Sequence, residues 1–323
     1  MWAPRPHASA TTPPPRSPPE EPLTESASIT RSPKPVRSSG TYTLGVGTAQ
    51  ATTVHRLGYG AMQITGVGVW GEPADHDECI RVLRRAVDMG VDLIDTADSY
   101  GPEVSERLIF EALHPYPDGL VIATKAGLTR QGPGQWLPVG RPEYLRQQCE
   151  LSLRRLGLER IELFQLHRID PSVPAEEQFG VLADLVAEGK VAHVGLSQVS
   201  VAELEAAQAV VPVVSVQNLF NLTNRSSADL LAHCTTEGIG FIPWFPVASG
   251  ALSGPDSPMD TVVAETGATP TQVALAWLLH HSPIMLPIPG TKSVAHVKEN
   301  CEAATLQLTD TQMAMLDAVH VAS

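Results

Sequence analysis

From about residue 75 the apolar positions alternate regularly between two spacings. A stretch with apolar residues at helical spacing gives way to a glycine, then to a short run that is apolar on both faces. In CIRVLRRAVDMG, Ile80, Leu83 and Val87 share one helical face, and Gly90 suits the left-handed residue that closes a helix. VDLIDTA follows as a strand. The same grammar returns in LRRLGLERIELFQLH, LVAEGKVAHVGLS and CTTEGIGFIPWF. Strands buried on both faces and separated by helices imply a parallel sheet.

This pattern predicts strands near 57–63, 91–96, 120–125, 161–167, 191–196, 213–217, 239–244 and 284–289. Eight strands over about 280 residues fit a closed (β/α)8 barrel of the TIM type better than an open doubly wound sheet. No GxGxxG follows the first strand, which argues against a Rossmann fold. Upstream, TYTLGVGTAQATTVHRLGYG reads as a β-hairpin capping the barrel floor. In such a barrel the chemistry sits at the carboxyl ends of the strands.

Composition changes this picture at the N-terminus. Residues 1–40 hold ten of the 28 prolines and few large apolar side chains. Such a segment cannot bury enough surface to offset the entropy of ordering. It reads as a disordered Pro-rich extension, or as a misplaced translation start, with the barrel domain spanning 41–323. No apolar core of a secretory signal follows its arginines, and no run approaches the length of a membrane span.

The extension is slightly basic, which leaves −15 for residues 41–323 out of a total of −13. So acidic a body excludes nucleic acid and anionic membranes as natural partners, and an anionic cofactor needs a local basic pocket. The four cysteines, Cys79, Cys149, Cys234 and Cys301, lie far apart in helical segments with no zinc spacing. They are expected to be buried reduced thiols, which points to the cytoplasm. Oligomeric state is not encoded in any visible pattern.

The strand ends carry the candidate chemistry. Strand two ends in DTADSYG with Asp95 and Tyr100, strand three in ATKAG with Lys125, and strand four in FQLHR with His167. Singly, an Asp caps a helix, a Tyr packs in a loop and a His is structural; four ionisable groups at one barrel mouth are harder to dismiss. In type, order and strand position they resemble the catalytic tetrad of the aldo-keto reductase family. The resemblance covers nearly the whole chain from about residue 41, including LGYGAMQ, IDTADSYG, GLSQVS, VQNLFN and IPGTKSVAHVKENCEAA.

That resemblance implies an NADPH-dependent reduction of a carbonyl. A carbonyl accepts hydride only as charge develops on its oxygen, so a proton donor must wait there. Tyr100 is implied as the general acid. Lys125 favours its phenolate, Asp95 holds and balances the lysine, and His167 orients the carbonyl.

The resemblance also implies cofactor contacts. Ser197, Gln198 and Gln217 correspond to the grip on the nicotinamide carboxamide, with Gln198 standing where Asn is more usual. Trp244 matches the ring that stacks on the nicotinamide, and Val247, Ala248, Gly250 and Leu252 the turn around the pyrophosphate. Thr291 and Lys292 correspond to the 2′-phosphate contact, and Glu299 and Asn300 to the adenine contact. His296 replaces the Arg of many relatives, which weakens the preference for NADPH over NADH.

Within the family the wording is similar to bacterial pyridoxal reductases, which reduce pyridoxal to pyridoxine. The loop GLTRQGPGQWLPVG contributes Trp136 as a candidate substrate wall or lid, beside Tyr100 and His167. After Leu308 the chain reads as a short final helix, leaving an open mouth. The competing readings are a ketoreductase of secondary metabolism and a non-catalytic NADPH-binding partner module. A metal-dependent barrel hydrolase lacks the HxH and Asp ligands it needs, and no metal site is expected.

Overall fold

The computed structural model describes residues 34–247 and 257–319. Its first regular pair is the hairpin of β1 (Thr41–Leu44) and β2 (Thr52–His55), antiparallel with Leu44 opposite Thr52. Then come β3 (Tyr59–Gly60), β4 (Leu93–Asp95) and β5 (Val121–Ala126), followed by a second hairpin, β6 (Leu128–Gly132) and β7 (Gln135–Pro138). β8 (Ile161–Leu166), β9 (Val191–Ser197), β10 (Val213–Leu219) and β11 (Gly240–Trp244) complete the set. Seven strands form one parallel sheet in the order β3-β4-β5-β8-β9-β10-β11.

The eighth barrel position is not a regular strand, although the sequence pattern predicts one at 284–289. The stretch bridges β11 at Met285, where Phe241 N donates to Ile284 O at 2.9 Å and Leu286 N to Phe241 O at 2.8 Å. On its other side Gly58 N donates to Pro287 O at 2.9 Å and Gly60 N to Pro289 O at 3.3 Å. Both acceptor residues are prolines with no N–H to return, so closure rests on half a ladder. The fold is a (β/α)8 barrel closed at that seam.

The helices of the outer layer are α1 (His76–Asp88), α2 (Val104–Leu113), α3 (Pro142–Leu156), α4 (Ala175–Ala187) and α5 (Val201–Gln208). The remainder are α6 (Ala228–Glu237), α7 (Pro258–Thr266), α8 (Pro270–His281), α9 (Val294–Glu302) and α10 (Asp310–Asp317). Their ends follow local chemistry. The Asp75 carboxylate caps α1 by accepting from Glu78 N, and α5 and α8 each carry a reciprocal capping box, Ser200 with Glu203 and Thr269 with Gln272. Gly157 and Gly238 close α3 and α6 in the left-handed conformation.

The hairpin β1–β2 seals the floor as expected. Leu44 and Val54 join Leu93, Val121, Ala123, Leu163, Ile242, Leu286 and Ile288 in one buried cluster inside the barrel. Gly45, at φ 64, turns the chain directly against His193; an added Cβ there would lie 2.1 Å from the imidazole Cε1.

Residues just before the expected boundary at 41 pack onto the barrel. Pro35–Ser39 form a 3-10 turn with Val36 fully buried among Leu57, Met89 and Val91, and Arg56 Nε donates to Ser39 O at 2.7 Å. One apolar anchor and one arginine clamp suffice to attach this segment. The rest of the expected extension lies outside the described residues.

All four cysteines are free and buried, on α1, α3, α6 and α9. Burial pushes the thiols of Cys149, Cys234 and Cys301 up to about 12. Among the described residues no helix is long and apolar enough to cross a membrane.

Candidate active site

Parallel register brings the strand ends to one level. Asp95 pairs with Ala123, two residues before Lys125; Lys125 pairs with Gln165, and Gln217 with Ser197. Side chains two apart share a face, so Asp95, Lys125, Gln165 and Gln217 all turn into the barrel. His167 follows β8 directly, and Tyr100 stands in the loop between β4 and α2.

There they form a single network. Lys125 is fully buried and donates to Asp95 Oδ1 at 2.5 Å, to Thr96 O at 2.8 Å and to the Tyr100 hydroxyl at 3.3 Å. The other Asp95 oxygen accepts from Gln165 Nε2 and Gln217 Nε2, each at 2.9 Å. Tyr100 meets His167 edge-on, with ring centres 5.8 Å apart, and Ser99 Oγ lies 3.3 Å from His167 Nδ1.

The electrostatics divide the roles. Burial works against the Lys125 ammonium, but Asp95 and Tyr100 outweigh it and hold the lysine above its ordinary value. Burial raises the Tyr100 hydroxyl above its usual range, with the Lys125 charge pulling the other way. Lys125 pulls Tyr100 toward the phenolate, and burial exceeds that pull. Burial, followed by the charges of Lys125, Arg168 and Arg130, keeps His167 well below the usual imidazole range, hence neutral. The site holds a protonated phenol, a charged lysine and a neutral imidazole.

A cleft of about 900 Å³ opens over this network. Its lining includes Asp95, Tyr100, Trp136, His167, Ser197 and Gln217 from the strand ends, Trp244 and Val247 after β11, and Thr291, His296, Glu299 and Asn300 from the last loop and α9. Trp136, on β7, stands edge-on to Tyr100 at 6.3 Å and forms a wall. Gln198 is exposed and outside this lining, but its Oε1 accepts from Trp244 Nε1 at 2.9 Å and so sets the indole. Lys292 is exposed and also outside the lining. Ala248, Gly250 and Leu252 lie outside the described residues.

The donor set suits a nicotinamide dinucleotide. Gln217 uses both amide hydrogens on Asp95 and Gln165, which leaves its Oε1 to accept from a carboxamide. The first turn of α9 lies beside Thr291; Val294 N donates to Glu78 Oε1 at 3.1 Å and Ser293 N to Thr291 Oγ1 at 3.2 Å. The cap residue Ser293 supplies no side-chain hydrogen bond, so the second and third N–H groups of the turn remain for an anion. Glu299 is partly committed, accepting from Thr269 Oγ1 at 2.5 Å.

Several participants escaped sequence reasoning. Gln165 sits two residues before His167 and is the second partner of Asp95; only the period of two along β8 signals it. Nothing in the sequence singles out Arg168 or Arg130, yet Arg168 lines the cleft and Arg130 stacks 3.5 Å from the Trp136 ring centre. Asp98 is buried, and its carboxylate oxygens make no well-aligned hydrogen bond, with only the backbone N–H and hydroxyl of Ser99 near them. Burial and then nearby Glu106 hold its carboxyl well above the usual range, against the pull of Arg155.

Comparison with known proteins places this barrel and the polar constellation at its strand ends among oxidoreductases. The aldo/keto reductase family model matches residues 56–321. An uncharacterized oxidoreductase of Schizosaccharomyces pombe is 52% identical over 82% of this chain and 86% of its own. Pyridoxine 4-dehydrogenase of Escherichia coli is 42% identical over 87% of this chain and 99% of its own. An aldo-keto reductase from Klebsiella pneumoniae, crystallised with NADPH, superposes with a TM-score of 0.70 at 25% identity, covering 82% of this chain and 90% of its own. The chain belongs to the aldo/keto reductase family.

Proposed function

We propose that this protein is an NADPH-dependent carbonyl reductase that converts aldehydes or ketones to alcohols, with pyridoxal reduced to pyridoxine as the specific reaction. The observation that carries the reading is the buried Asp95–Lys125–Tyr100 chain, ending on a protonated phenol beside a neutral His167 at the floor of the cleft. The similarity to pyridoxine 4-dehydrogenase supports the substrate.

When bound, NADPH supplies a hydride to the carbonyl carbon. Ser197 and Gln217 would hold its carboxamide, Trp244 would pack on the ring, and Thr291, His296, Glu299 and Asn300 would take the adenosine end. Tyr100 gives its proton to the carbonyl oxygen as charge develops there, and the alcohol forms with one hydride and one proton gained. Lys125 then faces a phenolate at the distance of its present hydrogen bond, and Asp95 keeps Lys125 charged for that moment. His167, being neutral, can donate one N–H to the carbonyl oxygen and orient it without competing for the proton. Trp136, Leu128 and Pro138 give the cleft apolar surface beside Tyr100 on which the substrate's ring would pack.

The test is NADPH oxidation with pyridoxal by the wild type and Tyr100→Phe. Turnover should fall at least about 100-fold in the variant while NADPH binding, followed by fluorescence, is retained. Full activity in the phenylalanine variant would remove Tyr100 from the acid role.

A further inference from the structure

Two guanidinium groups flank the reacting end of the cleft, and they use their donors differently. Arg130 is fully engaged by backbone: Nε donates to Gln135 O at 2.9 Å, and Nη1 to Val69 O and Ser99 O at 2.6 and 2.8 Å. Its Nη2 donates to Gly68 O at 2.8 Å and Gly132 O at 3.5 Å. With five N–H donors in the group, none is left over. Arg130 therefore fastens the mouth loops together.

Arg168 is only half engaged. Its Nη1 donates to His167 O at 2.6 Å and Ser197 Oγ at 3.0 Å, while Nε and Nη2 make no hydrogen bond to a described residue. It makes no ion pair with a carboxylate among the described residues, although it is half-buried and lines the cleft. Its charge acts on both Tyr100 and His167, lowering each. A partly desolvated guanidinium without a counter-ion is unfavourable by itself, and three free donors in a planar fork suit an oxyanion.

The position of that oxyanion is constrained. Arg168 follows His167 in the chain and is tied to its carbonyl, so the oxygen must lie close to the reacting carbonyl. The same lining includes the apolar side chains Trp136, Leu128 and Pro138, with Trp136 edge-on to both Tyr100 and His167. We propose that Arg168 is a specificity-determining residue that selects aromatic aldehydes bearing an ionised oxygen ortho to the carbonyl, by presenting Nε and Nη2 to that oxygen. The inference rests on the carbonyl-reductase reading and deepens it; pyridoxal, with adjacent aldehyde and hydroxyl groups, belongs to this class.

The test compares 2-hydroxybenzaldehyde with 2-methoxybenzaldehyde, which is similar in shape but cannot ionise, at a pH where the hydroxyl is ionised. Wild type, Arg168→Met and Arg168→Lys are each assayed by NADPH oxidation. The ratio of kcat/KM for the hydroxy over the methoxy substrate should fall about 10- to 100-fold in Arg168→Met, the range for a hydrogen bond to a charged group. Arg168→Lys, which keeps the charge, should show an intermediate ratio. An unchanged ratio in Arg168→Met overturns the inference whatever the absolute rates, because an Arg168 that only steadies His167 affects both substrates together. A wild type that reduces the methoxy compound without preferring the hydroxy one also overturns it but leaves the reductase standing. Activity on neither aldehyde would remove both.

Discussion

Replacing Asp95 by Asn tests the centre of the network most directly. The carboxylate takes three donors, Lys125 on one oxygen and the amides of Gln165 and Gln217 on the other. The new amide offers one oxygen to those three donors and brings two N–H groups of its own. Removing one partner of a buried ion pair costs about 3–5 kcal/mol, and a stranded amide N–H adds about 1–3. Part of this is avoided if Lys125, fully buried, sheds its proton rather than remain charged. The net loss should be about 4–6 kcal/mol, or a Tm lower by about 8–12 °C at roughly 2 °C per kcal/mol for a body of this size. Urea unfolding gives the first quantity and NADPH oxidation the second consequence, a turnover loss of about 100-fold or more as Lys125 stops supporting the phenolate. The double variant Asp95→Asn, Lys125→Met should regain stability but not activity, since no charge is then left uncompensated. An Asp95→Asn protein within about 1 kcal/mol of wild type and fully active would refute the coupling described here.

The pH dependence of reduction should lack an acidic limb near the ordinary histidine value of about 6.5, because His167 stays neutral and Tyr100 stays protonated. A kcat/KM profile with a nonionising aldehyde checks this, and a limb there would contradict the neutral imidazole. Asp98, with its folded pKa raised, contributes stability that is full below its unfolded value of about 3.9 and is lost as pH rises through the folded one. Asp98→Asn should therefore gain on wild type steadily from pH 4 upward in thermal melts; a constant difference would show that the carboxyl is not perturbed. Gly45→Ala should cost about 1–3 kcal/mol in denaturant unfolding, since the methyl meets the His193 ring on a backbone that disfavours it. Arg155→Met should cost about 3–5 kcal/mol, because Glu106, fully buried, loses the guanidinium that bonds it at 2.5 Å.

The barrel was legible because its signals are redundant. The barrel strands are mostly apolar on both faces, several helices start at a capping side chain or end at a glycine, and the polar residues stand out where apolar runs stop. The chemistry of Asp95, Lys125 and His167 was visible for that same reason. The hairpin β6–β7 was not, since its exposed strands show no apolar alternation, and Gly132-Pro133-Gly134 marks a turn without saying that strands flank it. Residues 284–289 misled in the opposite direction: an apolar run reads as a strand even where Pro287 and Pro289 deny it half its bonds. Gln165 was hidden by its setting, because a single amide within an apolar strand has no partner visible in sequence. Arg168 was hidden by its type, as most arginines after a strand are simply hydrated.

The half-laddered seam also bears on the order of folding. It joins segments more than 200 residues apart, with Gly58 and Gly60 on one side and Pro287 and Pro289 on the other. Long-range closure with few bonds belongs late on the folding path, when the rest of the sheet is already formed. Tyr59 donates its hydroxyl to Thr291 O across this seam at 2.6 Å, and Gly60, Gly290 and Thr291 all line the cleft. A cofactor seated there clasps the last part of the barrel to assemble. It should therefore slow unfolding and leave the folding rate almost unchanged, the kinetic signature of a contact made after the transition state.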